Sequence, residues 1–202
     1  VSKTIGVPWP VIKKTLEDFK GVTGRMEFAQ KNPFAVVIDY AHTPDSLEKV
    51  YQYLKSPASE GRVPLNKIER QKSKAKGRKL ICVFGAAGGG RDKWKRPVMG
   101  KIAAQYCDCV VLTDEDPYNE NSFKIISEIK AGLIDSRYPA SNLFEILNRK
   151  EAIKKAISLA KNGDVIAITG KGSEPWLHLG RGKKIPWNEQ EITAEILKQA
   201  IL

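Results

Sequence analysis

From residue 34 onward, short unbroken apolar runs alternate with stretches whose apolar positions recur every three to four residues. The runs predict strands at 35–39, 79–84, 109–113, about 142–146 and 164–169. The periodic stretches predict helices at 44–55, 97–106, 122–135, 149–161 and 189–200. Runs such as LICVFG and DVIAIT lack polar alternation, which fits strands covered on both sides rather than strands with one wet face. Strand following helix in this order predicts an α/β fold, Rossmann-like, with a mostly parallel sheet and helices on both faces.

Ahead of this alternation, Pro8 and Pro10 open a helical pattern with Val11, Leu16 and Phe19 in rough helical spacing, and GVTGRMEF then turns into an extended piece. No internal repeat is visible. The low-complexity stretch 56–79 is longer than most connections and reads as a mobile, solvated loop.

A chain of 202 residues with 42% hydrophobic content suffices for one sizeable core or two small ones. No run approaches a membrane-spanning length, and no basic, apolar leader is visible, so a cytoplasmic address is expected. The first residue is Val1, as in an excised fragment or a processed start. Cys82, Cys107 and Cys109 lie in or beside apolar runs, and two distant histidines complete no zinc spacing with them. All three are read as core thiols, and no metal site is expected.

The net charge of +11, from 34 Lys plus Arg against 23 Asp plus Glu, raises the question of a polyanionic partner. Much of the excess sits in KIERQKSKAKGRK, residues 67–79, where no aromatic residue is interleaved for base stacking. That favours a solvated loop over a nucleic-acid surface, so neither a specific nucleic acid nor a membrane is expected as partner.

In a parallel sheet the segments after the strands share one edge and one crevice. Here they read DYAHTPD (39–45), GAAGGGRDKWKRP (85–97), TDEDPYNEN (113–121) and GKGSEPW (170–176). In the first, Thr43, Pro44 and Asp45 suit a helix start, which leaves Asp39 and His42 free for chemistry. The second combines glycines with Arg91, Lys93, Lys95 and Arg96, and is either an anion cradle or a turn with a solvated basic rim; it matches neither a phosphate loop nor a dinucleotide fingerprint. The third places Asp114, Glu115 and Asp116 opposite that basic loop, as in a pocket for a zwitterion, or else serves to cap a helix through Asn119 or Asn121. The fourth offers Glu174 to an ammonium group, or is a charged helix or hairpin start.

These segments, in order and together with GRME (24–27), NRKEAI (148–153) and the closing NEQEI, resemble the C-terminal domain of the Mur ligases, MurE type, across about the whole chain. The resemblance implies an ATP-dependent amide-forming ligase of peptidoglycan precursor synthesis. In that family ATP and Mg2+ serve to phosphorylate a carboxylate of a UDP-N-acetylmuramoyl dipeptide, which the amine of a free diamino acid then attacks. By the same resemblance, Arg25 reaches the ATP phosphates, Asp39 the ribose and His42 the base and sugar region. Arg91 pairs with a carboxylate of the incoming amino acid, Asp116 contacts its distal end, and Gly170 and Glu174 complete the pocket.

Two departures matter. No G-T-x-G-K-[ST] loop is present, and the family carries that loop, the magnesium ligands and the UDP-sugar site on preceding domains, so these residues alone are expected to be inactive. Residues 1–33 resemble the tail of the central ATPase domain and its linker, and 34–202 the C-terminal domain, which is expected to move against the rest as substrates bind. The second departure lies in Glu115, Asp116, Pro117 and Tyr118, which stand where diaminopimelate-adding members resemble one another in Asp-Asn-Pro-Arg. Tyr118 in place of Arg loses a bidentate carboxylate clamp, while Glu115 and Asp116 suit a side-chain ammonium, so L-lysine is expected over meso-diaminopimelate. The rival readings are a free-standing nucleotide-binding or regulatory module and a nucleic-acid binder using the basic loop.

Overall fold

The computed structural model describes residues 3–19, 21–56 and 77–200. Most of the basic stretch 56–79 therefore lies outside the described residues. The elements are α1 (Trp9–Asp18), β1 (Glu27–Gln30), β2 (Ala35–Asp39), α2 (Pro44–Lys55), β3 (Leu80–Phe84), α3 (Lys95–Tyr106), β4 (Cys109–Leu112), α4 (Ser122–Asp135), β5 (Leu143–Glu145), α5 (Arg149–Leu159), β6 (Val165–Thr169), β7 (Trp176–His178), β8 (Lys184–Pro186) and α6 (Glu189–Ala200).

Six strands form one sheet in the order β1-β2-β6-β3-β4-β5, and β7 pairs with β8 in a separate hairpin. Only β1 runs antiparallel in the large sheet; the other neighbours are parallel, as expected for an α/β fold of this kind. Strand β1 lies within residues 1–33, so the sheet already begins inside the stretch that the sequence assigns to a tail and linker.

Side chains alternate between the two faces of each strand, and this divides the core into two layers. Val37, Cys82, Phe84, Val110, Leu112 and Ala167 point toward α2, α3 and α4, where they meet Leu47, Tyr51, Met99 and Ile129. Val36, Ile38, Val83, Val111, Ile166 and Ile168 point the other way, toward Ile153, Ile157, Ile196 and Leu197 of α5 and α6. Every residue of β2, β3 and β6 is buried, which is why those runs show no polar alternation. Each such aliphatic side chain contributes about 1.5–3 kcal/mol of transfer free energy.

Local chemistry sets the helix starts. Thr43 and Ser46 form a reciprocal capping box on α2, with Pro44 at the first position and Asp45 in the first turn. Asn121 caps α4 and Asn148 caps α5 one way only, each side chain accepting from a backbone N–H three residues on. Helix α3 begins at Lys95, ahead of the expected 97, because a proline in the first turn forfeits only an N–H that has no helical partner.

One expectation is corrected. Cys82 and Cys107 are buried but are not free thiols: they form a disulfide, because the inward-facing middle of β3 lies beside the end of α3, with Cα atoms 6.0 Å apart. Cys109 is free and half-buried.

Candidate functional site

Parallel register carries the ends of four strands to one edge. Asp39 lies opposite Thr169, Val83 opposite Ile168 and Phe84 opposite Leu112. The segments that leave this edge enclose a pocket of about 490 Å3. His42, Arg91, Glu115, Asp116, Tyr118, Gly170 and Glu174 all line it, although they come from four separate segments of the chain. Tyr40, Trp94 and Lys95 line it as well.

Arg25 and Asp39 stand beside this pocket rather than in its wall. The Arg25 guanidinium is exposed and lies 4.3 Å from the centre of the Tyr40 ring, so a cation–π contact holds it at the rim. Asp39 is buried; one carboxylate oxygen accepts from Met26 N and the other from Ala41 N, both at 2.8 Å. It thus ties the loop bearing Arg25 to the end of β2, and each oxygen retains a lone pair. His42 Nδ1 lies 2.8 Å from Tyr40 O, which directs the other ring nitrogen elsewhere, and Lys95 Nζ donates to His42 O at 3.0 Å. Among the described residues, no group of three or more His, Cys, Asp or Glu is arranged to hold a metal ion.

The negative side of the pocket is organised by a residue to which the sequence reading gave no role. Lys171 is fully buried and donates to both oxygens of Asp116, at 2.9 and 3.0 Å, and to Glu174 Oε2 at 2.7 Å. The charge expected of Asp116 and Glu174 is therefore met largely by an internal ammonium. Asp116 is held further by His178 N at 2.9 Å, and Glu174 Oε1 accepts from the Tyr40 hydroxyl at 2.7 Å. That hydrogen bond, with burial, pushes the Tyr40 hydroxyl up to about 12. Burial raises the Glu174 carboxyl, but the bonds from Lys171 and Tyr40 outweigh it and its net shift is downward.

Glu115 behaves differently. It is buried, its Oε2 has no hydrogen-bond partner, and burial pushes its carboxyl up to about 7 against the pull of Arg149, Lys95 and Lys171. Gly170, at φ +112°, permits this arrangement: a Cβ there would lie 2.4 Å from Glu115 Oε2. A buried carboxyl oxygen without a hydrogen-bond partner is a polar group that the fold leaves unsatisfied, at a cost that the protonated form lessens.

Behind the pocket, Arg149 and Glu189 form a fully buried pair, Nη2 to Oε1 at 2.6 Å. The guanidinium also donates to Asp114 O at 3.2 Å and Thr169 O at 2.9 Å, joining the ends of β4 and β6 to the starts of α5 and α6. These are the NRKEAI and NEQEI motifs, whose roles were not legible in sequence. Arg149 stands among polar and charged residues, Asn148, Lys150 and Glu151, and carried no local signal, whereas a lysine between two glycines was the available signal for Lys171.

The model of the "Mur ligase, glutamate ligase domain" family matches residues 24–66 and 65–172. The UDP-N-acetylmuramoyl-L-alanyl-D-glutamate--2,6-diaminopimelate ligase 1 of Clostridium acetobutylicum is 40% identical over 197 residues, covering 96% of this chain and 36% of that protein. The UDP-N-acetylmuramyl-tripeptide synthetase of Borreliella burgdorferi is 38% identical, covering 100% of this chain and 35% of that protein. A solved structure of a UDP-N-acetylmuramoyl-L-alanyl-D-glutamate 2,6-diaminopimelate ligase superposes with a TM-score of 0.72 at 26% identity, covering 100% of this chain and 37% of its own. The chain thus spans about a third of the length of the curated relatives it matches. With a family match across the pocket-forming segments and two-fifths identity over nearly its full length, the chain belongs to the Mur ligase family, as its C-terminal, glutamate ligase domain.

Proposed function

We propose that these residues are the amino-acid-receiving part of a MurE-type ligase, which joins a free diamino acid to a UDP-N-acetylmuramoyl dipeptide at the expense of ATP. The observation that carries this reading is one pocket holding Arg91, the unpartnered Glu115 and the Lys171-bridged Asp116 and Glu174, next to His42. A zwitterion has a cation for its carboxylate there and an acceptor for its ammonium. ATP, when bound, supplies the phosphoryl group that activates a carboxylate. Arg25 would meet its phosphates, Asp39 its ribose and His42 its base and sugar region, and magnesium would be held outside this chain. Arg91 binds the carboxylate of the amino acid, and Asp116, Glu174 and the backbone at Gly170 orient it.

We place the tail and linker of a preceding ATPase domain in residues 1–33 and the C-terminal domain in 34–202. The chain by itself is inactive in this reading, and its setting is cytoplasmic. L-lysine is preferred over meso-diaminopimelate, because Tyr118 offers no second carboxylate clamp and the acidic Glu115 and Asp116 positions suit a side-chain ammonium. A second reading, diaminopimelate as substrate, is favoured by relatives that are diaminopimelate ligases by name, those of Clostridium acetobutylicum and Aquifex aeolicus among them.

The test is amino-acid-dependent phosphate release by the complete parent enzyme with ATP, magnesium and the UDP-muramoyl dipeptide, comparing L-lysine, meso-diaminopimelate and L-ornithine. The highest kcat/KM is expected with L-lysine. Equal or better turnover of diaminopimelate removes the lysine preference. Release with none of the three removes the ligase reading and leaves a free-standing nucleotide-binding module.

A further inference from the structure

Tyr118 is the largest side chain facing the amino-acid pocket from the acidic segment, and it is held in an uncommon way. Its φ is +50°, a left-handed conformation that a residue with a bulky side chain adopts only when its surroundings impose it. Its ring stacks on the His178 imidazole, with centroids 5.0 Å apart and planes at 21°. It also lies against Gly89, where a Cβ would stand 2.8 Å from Cδ2 of the ring.

The imposing element is the β7–β8 hairpin. Tyr118 N donates to His178 O at 3.3 Å, His178 N to Asp116 Oδ1 at 2.9 Å, and Arg181 N to Asn119 Oδ1 at 2.6 Å. His178 is in turn paired with Lys184 across the hairpin. His178 does not line the pocket, whereas Tyr118 and Asp116 do. Any influence of the imidazole on a bound amino acid therefore passes through the Tyr118 ring.

We infer that His178 is a positioning residue that immobilises the Tyr118 wall, and that the β7–β8 hairpin thereby sets the length of amino-acid side chain the pocket accepts. The inference rests on the reading of this pocket as the amino-acid site. A ring free to swing about its χ1 bond discriminates poorly between chains that differ by one methylene. A ring held between an imidazole and a glycine backbone has one position, and a wall in one position converts a methylene of misfit into lost affinity.

The experiment uses the complete parent enzyme and the phosphate-release assay with L-lysine and L-ornithine. In His178→Ala, KM for the preferred amino acid is expected to rise about threefold to tenfold, the range that an aromatic stack contributes. The kcat/KM ratio between the two amino acids should fall toward one, while kcat and the KM for ATP stay within twofold. His178→Phe, which keeps a ring against Tyr118, should restore both KM and ratio. Should the alanine variant melt below assay temperature, His178→Leu, which fills the space without a planar face, takes its place and is held to the same outcome. An unchanged amino-acid KM and ratio overturns the inference. So does a phenylalanine variant as impaired as the alanine one, or a loss that falls on kcat and ATP alike, which marks a merely structural role. A wild-type enzyme that turns over no amino acid overturns the functional reading and this inference with it; a working wild type with an indifferent His178 overturns the inference alone.

Discussion

Removing Glu189 isolates the energetics of the buried ion pair behind the pocket. Arg149 and Glu189 have fully buried side chains, and the carboxylate accepts from Arg149 Nε, Arg149 Nη2 and Trp187 Nε1. In Glu189→Leu the guanidinium keeps only Asp114 O and Thr169 O as acceptors and loses its hydrogen-bonded carboxylate, with only Coulombic attraction from Glu115 and Asp116 left to its charge. Breaking a buried pair in this way costs about 3–5 kcal/mol, a large share of the roughly 5–15 kcal/mol by which a domain is stable. For a chain of this size that corresponds to a fall in Tm of about 6–20 °C. Removing both partners together, as Arg149→Met with Glu189→Leu, leaves no orphaned charge and should cost less than Glu189→Leu alone. Urea titration of the 202-residue chain, followed by tryptophan fluorescence, measures wild type, Glu189→Leu, Arg149→Met and the double variant. A Glu189→Leu chain within about 1 kcal/mol of wild type, or a double variant whose cost is the sum of the singles, would refute the argument.

Two further outcomes follow from the pocket itself. Glu115 titrates from its ordinary 4.5 in the unfolded chain to about 7 when folded, so between these values the folded chain holds a proton that the unfolded chain has released. Its contribution to stability is thus fully present below the lower value and is lost as pH rises to the upper one, at no more than about 1.4 kcal/mol per pH unit. Glu115→Gln removes this dependence, so its Tm relative to wild type should be higher at pH 8 than at pH 5; the reverse order in calorimetry would show that the ionised form is the one the fold favours. Lys171→Met takes the ammonium from between Asp116 and Glu174 and is expected to cost about 3–5 kcal/mol at pH 8 by denaturant titration, and less as the pH falls through the lowered titration range of the Glu174 carboxyl. A cost that does not change with pH would place the role of Lys171 in packing rather than charge.

Local patterns reach far into this fold. Unbroken apolar runs located β2, β3, β4 and β6 to within a residue or two, because strands buried on both faces have no room for polar alternation. Capping chemistry marked the starts of α2 and α4, because Thr43 and Asn121 satisfy donors only a few residues away. The strand-end rule then placed seven of the nine candidate residues in one pocket wall, because parallel strands deliver their C-terminal ends to one edge whatever the strand order. The β7–β8 hairpin escaped this logic. Strands of three residues, one of them ending in a proline, carry too little pattern to be told from a loop.

Pairings between distant side chains were left to tertiary structure. Lys171 meets Asp116 across 55 residues, Arg149 meets Glu189 across 40, and Cys82 reaches Cys107 across 25. None of these is written in a local period, since each depends on which strands become neighbours and on which side a connecting helix crosses. The same holds for the division between Asp116, neutralised from within, and Glu115, left with an unpartnered oxygen. Adjacent in sequence and alike in chemistry, the two carboxylates line one pocket with different neighbours, and only the packed fold decides that Asp116 takes the hydrogen bonds of the buried lysine while Glu115 Oε2 lies against Gly170.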